Sequence, residues 1–175
     1  MFQKIVTGAQ AGVDRAALDA AMLLDFEYGG WCPKGRLDEK ETIPEKYSNL
    51  KEVSGEFKAD KESYDARTKK NIEDSDATLI LVPQIPLPEQ IKDGTLLTIE
   101  YTKKQLKPYL IVNLSKPICS NAELITAWVK ENRINTLNIG GPRESTCPGI
   151  YQATLELLEI TLPKCKNCFS LRATL

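Results

Sequence analysis

The chain has 175 residues, enough for one domain with a substantial core. Its 23 Lys and Arg against 24 Asp and Glu leave no basic field for nucleic acid, no apolar run approaches bilayer-spanning length, and the first residues carry no signal-peptide pattern, so a cytoplasmic protein with neither membrane nor nucleic-acid partner is expected. Histidine is absent, which removes Ser-His-Asp and Cys-His catalysis and imidazole metal ligation, and leaves any chemistry to carboxylates, Lys, Arg, Tyr, Cys or backbone dipoles.

The first predicted strand is Lys4-Ile5-Val6, followed by a turn bounded by Gly8 and Gly12 and then an alanine-rich helix. Val13, Ala17, Ala20 and Leu24 recur at helical spacing, so one stripe of that helix faces a core. The turn places unpaired N–H groups at a helix N-terminus, where the dipole favours an anion. A plain strand-to-helix connection with no ligand explains the same residues. The sequence Phe26 to Trp31 reads as a second strand, with Lys34, Gly35 and Arg36 at the start of the polar segment that follows it. Residues Asn49 to Val53 suit a short strand, and Gly55 to Asp76 a charged helix. In that helix Tyr64, Arg67 and Asn71 fall at i, i+3 and i+7, which fits either a solvated face or a polar stripe lining a site.

Thr78 to Val82 is a continuous apolar run suited to a strand covered on both faces. A loop with three prolines runs from Pro83 to Asp93, and Gly94-Thr95 opens a helix that reaches about Leu106 and carries Glu100. Tyr109 to Leu114 reads as another buried strand. Ser120 and Glu123 form a capping-box pattern before an amphipathic helix carrying Leu124, Ile125, Trp128 and Val129. Thr136 to Gly140 is a further strand, and Pro148 to Leu162 a last helix with Pro148 near its first turn.

Alternating strands and helices predict an α/β three-layer sandwich, with helices on both faces of a mostly parallel sheet. A single domain is expected over residues 1–162, with a C-terminal tail over 163–175 that carries Cys165-Lys-Asn-Cys168. The odd number of cysteines, five, points to reduced thiols rather than a disulfide framework. The CxxC pair has metal-ligand spacing but lacks a second pair, so a flexible tail with two exposed thiols is expected in place of a metal site.

Ligands bind beyond the carboxyl ends of the strands in such sheets. There the sequence places Gly8 to Asp14, Trp31 with Lys34 to Arg36, Gly94-Thr95, and a second glycine-rich turn, Gly140-Gly141-Pro142-Arg143-Glu144-Ser145. Two such turns at one crevice suit an anionic small molecule, with Arg143 able to fork onto an oxyanion. A nicotinamide dinucleotide is disfavoured, because the first turn is Gly-x-x-x-Gly and no acidic residue closes the second strand. No Walker loop is present either.

The run from Gly8 to Ala21 resembles the GGQTGVDRAALDAA signature of the molybdenum carrier family, which includes molybdenum cofactor carrier proteins. Gly29 to Arg36, Arg67-Thr68 with Asn71, Asp74 to Ile80, Gly94-Thr95 with Thr98 and Glu100, and Gly141 to Ser145 with Pro148 to Tyr151 match as well. The resemblance spans about Lys4 to Leu158. It implies a Rossmann-like fold of the SLOG superfamily, homo-oligomers (dimers or tetramers), and molybdenum cofactor (molybdopterin) as bound cargo. That ligand is a pyranopterin with a phosphate at one end and a dithiolene-bound oxo-molybdenum centre at the other. The ligand-binding residues carried over are Gly8, Ala9, Gln10, Ala11, Gly12, Asp14, Trp31, Lys34, Arg36, Arg67, Asn71, Gly94, Thr95, Glu100, Gly141, Arg143 and Ser145. The chain departs from the family turn at Ala9 and Ala11, and at Asp93 before Gly94.

Three functions follow as alternatives: a carrier of molybdenum cofactor or molybdate, a LOG-type nucleoside-monophosphate phosphoribohydrolase with Glu100 as its carboxylate, and a nucleotide-derivative sensor domain. Trp31 and Tyr64 could stack a nucleobase or a pterin equally well.

Overall fold

The computed structural model describes residues 2–39, 41–57, 60–91 and 94–167. Six strands form one sheet in the order β3-β2-β1-β6-β4-β5, every neighbouring pair parallel. They are β1 (Lys4–Val6), β2 (Glu27–Cys32), β3 (Leu50–Glu52), β4 (Ala77–Val82), β5 (Tyr109–Asn113) and β6 (Thr136–Gly140). The helices are α1 (Val13–Leu23), α2 (Asp60–Glu73), α3 (Gly94–Lys104), α4 (Ile118–Glu131) and α5 (Ile150–Asn167). The three-layer Rossmann-like sandwich predicted from the alternating pattern is what forms.

Side chains alternate across β4 and divide the core into two layers. Leu79 and Leu81 join the large cluster that Val13, Ala17 and Ala20 of α1, Ile125 and Val129 of α4, and Leu157 and Leu158 of α5 complete. Ile80 and Val82 face the other way and pack on Ile99 of α3. All six residues of β4 are buried, which explains its unbroken apolar run. The connection after β6 therefore leads to one face and the connection after its neighbour β4 to the other. This divergence opens a crevice at their carboxyl ends, as doubly wound sheets do.

Several local expectations change. Strand β5 is an edge strand and only Val112 in it is fully buried, because nothing pairs its outer side. The capping box does not form: α4 begins at Ile118 with Pro117 as its N-cap and no side-chain cap. Proline at that position has its φ preset at −52° and no N–H to satisfy, so the helix starts two residues before Ser120. Pro148 lies outside α5, in the turn before it. That end of the helix is capped by Glu144, whose carboxylate accepts the N–H groups of Gly149 and Tyr151 at 2.5 and 2.9 Å. At its other end α5 continues past Pro163 to Asn167, so the start of the expected tail is helical. Cys165 is buried against the main core instead of exposed, while Cys168 and Asp93 lie outside the described residues. Among the described residues no helix is long and apolar enough to cross a membrane.

Candidate functional site

The turns after β1 and β6 are stitched to each other. Glu144 N–H donates to the Ala11 carbonyl at 3.1 Å and Val13 N–H to the Pro142 carbonyl at 3.3 Å, an antiparallel bridge between Gly12 and Arg143. Gly12 has φ +113°, and a Cβ there would stand 2.6 Å from the Pro142 carbonyl oxygen, so only glycine serves at this crossing. The two glycine-rich turns thus form one rim on the same side of the sheet.

Beneath that rim lies a cavity of about 610 Å³ between the sheet, α2 and the start of α3. Its wall includes Gln10, Ala11 and Asp14 from the first turn, Tyr64, Arg67 and Asn71 from α2, Gly94, Thr95 and Glu100 from α3, and Gly141 and Arg143 from the last turn. The polar stripe of α2 accordingly faces the site, which is why that helix carries so few aliphatics. Thr68 and Thr98, marked in the sequence only as parts of matching motifs, also line the wall, as do Asn138, Lys61, Asp65, Gln90, Ile91, Leu96, Leu97 and Thr146, which were not singled out. Thr98 lies on the cavity side of α3 one helical turn after Thr95, which places both hydroxyl residues of that motif on one face.

Other candidates serve the fold and lie off the cavity wall. Gly8 makes room for Arg67, since a Cβ there would meet Nη1 at 1.9 Å. Ala9 is fully buried at φ +61° and packs with Leu18, Cys32, Ile43 and Tyr47, so its methyl points into a small core and away from the cavity. Trp31 donates its indole N–H to Asp74 at 2.6 Å and lies under Lys70. Lys34 reaches the Gly55 carbonyl at 3.1 Å, and Arg36 binds the carbonyls of Ile43, Pro44 and Tyr47. Ser145 is exposed beside the rim. Asn71 reaches the wall, and its amide is held in place by the Trp31 backbone, accepting N–H at 2.7 Å and donating to C=O at 2.9 Å.

Charge in the cavity is therefore more balanced than four gathered cations would make it. Arg67 Nη1 donates to Asp14 Oδ2 at 3.0 Å. Burial raises the Asp14 carboxyl pKa, opposed by the Arg67 and Arg143 guanidinium groups. Arg143 lies 5.0 Å over the Tyr64 ring and 3.4 Å from Glu39. Burial pushes the Tyr64 phenol up, with Arg143 acting against it. Among the described residues no group of three or more His, Cys, Asp or Glu is placed to hold a metal ion. What the arrangement offers a guest is a partly paired Arg67, a stacked Arg143, the hydroxyl of Thr95 and an apolar wall from Ile91, Leu96 and Leu97, because the N–H groups of Ala11, Val13 and Glu144 are already taken by Asp38 and by the partner turn.

A model of the circularly permutated YpsA SLOG family, cpYpsA, matches residues 5–162. The chain belongs to that family. Among solved structures it is similar to a Syntrophus aciditrophicus SB protein named "Putative molybdenum carrier protein", with 42% sequence identity and a TM-score of 0.82. The match covers 92% of this chain and 95% of that one. A comparison with curated proteins finds no match. Family membership fits both the joined glycine turns and the Rossmann-like sheet, and the resemblance seen in the turn motifs holds.

Proposed function

We propose that this chain is a binding protein for an anionic small molecule that carries both a phosphate and a planar heterocycle, with molybdenum cofactor as its cargo. The observation that carries this reading is the single cavity of about 610 Å³ onto which both stitched glycine turns and the start of α3 open. That size suits an organic ligand. Bare molybdate, the smaller alternative, would leave most of the cavity to water. The balance of Lys61, Arg67 and Arg143 against Asp14, Asp65 and Glu100 also favours a guest with hydrogen-bonding and apolar parts over a simple oxyanion. The 42% identical structure named as a molybdenum carrier supports the choice of cargo. The ligand-facing residues in this reading are Gln10, Ala11, Arg67, Gly94, Thr95, Gly141 and Arg143. A carrier needs only to hold and shield its guest, which agrees with a chain that has no histidine.

The test is purification from a host that makes the cofactor, measuring pterin fluorescence and molybdenum per chain. Near-stoichiometric amounts of both support the reading; absence of both, with no binding of pterin phosphates in solution, rejects it. One observation favours a second reading, because Glu100 and Arg67 line the same cavity as a phosphoribohydrolase would require. Release of free adenine from AMP, abolished by Glu100→Gln, would establish that activity. Self-association into dimers or tetramers belongs to the same proposal, and sedimentation checks it.

A further inference from the structure

The loop that follows the turn at Lys34–Arg36 crosses the start of α1, and its two neighbouring carboxylates are held very differently. Asp38 is fully engaged. Its carboxylate accepts from Arg15 Nη2 at 2.6 Å, from Glu39 N–H at 2.8 Å and from Ala11 N–H at 3.4 Å. Its carbonyl accepts the Tyr64 hydroxyl at 3.3 Å, and Gln10 Nε2 donates to the preceding Leu37 carbonyl at 2.9 Å. Glu39 has far less. Its Oε1 stands 3.4 Å from Arg143 Nε as an ion pair, is closed to solvent, and accepts no hydrogen bond from the described residues. Gln10 Oε1 and Arg15 Nε, on residues that hold the same loop, are likewise buried without hydrogen-bond partners among the described residues. A closed position that leaves polar atoms unmatched is disfavoured relative to one in which they are satisfied.

We propose that Glu39 is an internal stand-in for the anionic group of the guest, holding Arg143 in the free protein and yielding it when a phosphate arrives. This rests on the binding role proposed above and adds to it the side chain that the anionic group of the guest must displace. A guanidinium presents a planar fork that a phosphate dianion satisfies with two charge-assisted N–H bonds. Glu39 offers one misaligned contact, so a phosphate that meets the guanidinium with two aligned bonds wins the exchange. Arg143 is already stacked on Tyr64 in the cavity wall, so its plane is set before the exchange. Asp38 and Leu37 remain anchored, and only the Glu39 side chain has to move.

The experiment titrates AMP and 6-hydroxymethylpterin monophosphate into the full chain by calorimetry. It compares wild type, Glu39→Gln, Glu39→Ala and each of these combined with Arg143→Gln, with circular dichroism melts to confirm folding. Removing the competing charge tightens binding of both probes about three- to fivefold, in line with a partly exposed ion pair, and the gain disappears in the Arg143→Gln background. Equal or weaker binding by both Glu39 variants, beside a wild type that binds, overturns the stand-in while leaving the proposed function intact. A gain that persists without Arg143 overturns it too. If neither the wild type nor any Glu39 variant binds either probe, both the stand-in and the binding role are rejected.

Discussion

Arg67 Nη1 donates to Asp14 Oδ2 across 3.0 Å, tying the middle of α2 to the first turn of α1 directly under the stitched glycine turns. The two side chains are only 13% and 6% exposed, so either one left alone is largely desolvated. Arg67→Ala strands a buried carboxylate and is expected to cost about 3–5 kcal/mol of stability, whereas Arg67→Met combined with Asp14→Asn costs less than the sum of the single changes. Urea unfolding of Arg67→Ala, and of Arg67→Met, Asp14→Asn and their double variant, measures this. Additive losses would show that the two groups do not act as a pair.

Gly8 is predicted to be intolerant of even one methyl group. A Cβ there stands 1.9 Å from Arg67 Nη1 and 2.5 Å from its Cζ, so the guanidinium must leave Asp14 or the β1 turn must shift. Gly8→Ala is expected to lose about 1–3 kcal/mol as an overpacked site and to weaken ligand binding although position 8 touches no ligand. Denaturation and calorimetry on the same preparation check both effects.

Alkaline pH should weaken the fold through Asp19. It accepts hydroxyl hydrogen bonds from Tyr47 at 2.9 Å and Tyr151 at 2.8 Å, joining α1, the long loop and α5. Burial, followed by the Asp19 hydrogen bond and its charge, raises the Tyr151 pKa from 10.0 to about 12 and pushes Tyr47 up as well. The folded chain therefore keeps protons that the unfolded chain releases. Stability from these tyrosines is complete below pH 10.0 and is lost as pH climbs toward about 12. Denaturant midpoints between pH 8 and 12 should fall less steeply in Tyr151→Phe than in wild type, and parallel curves would contradict the assignment.

Arg36 and Trp31 separate fold from site. Arg36 gathers three backbone carbonyls of the loop that precedes β3, so Arg36→Met is expected to cost about 1–2 kcal/mol. Trp31→Phe removes the bond to Asp74 and leaves ligand affinity unchanged, because the indole lies off the cavity wall. Melting and titration of the two variants distinguish these roles, and a large affinity loss in Trp31→Phe would place the indole in the site.

Much of this architecture was legible because each signal was local. The apolar run of β4, the helical stripe of α1 and the strand-turn-helix pattern of the two glycine turns can each be read within one element or its immediate connection, although the crossing that requires Gly12 is made with the distant Pro142. The polar stripe of α2 was legible as a stripe, although sequence alone left open whether solvent or a cavity faced it. What escaped depended on distant partners. Asn71 is held by the Trp31 backbone 40 positions away, and Arg36 turns inward to carbonyls that no pattern marks. Asp38 and Glu39 read as ordinary loop acids until the chain lays them against Arg15 and Arg143. The Ser120 capping box failed for another reason: Pro117 supplies a competing start that needs no side-chain oxygen.

Backbone amide shift mapping with a pterin monophosphate tests the account most directly, because it reads which of the turns around the cavity the guest lies against. The account predicts that the largest perturbations fall together on Ala11, Gly141, Arg143 and the Gly94-Thr95 start of α3, with Trp31 and Ser145 little changed. Perturbations confined to one of these turns, or centred elsewhere on the molecule under saturating ligand, would contradict it.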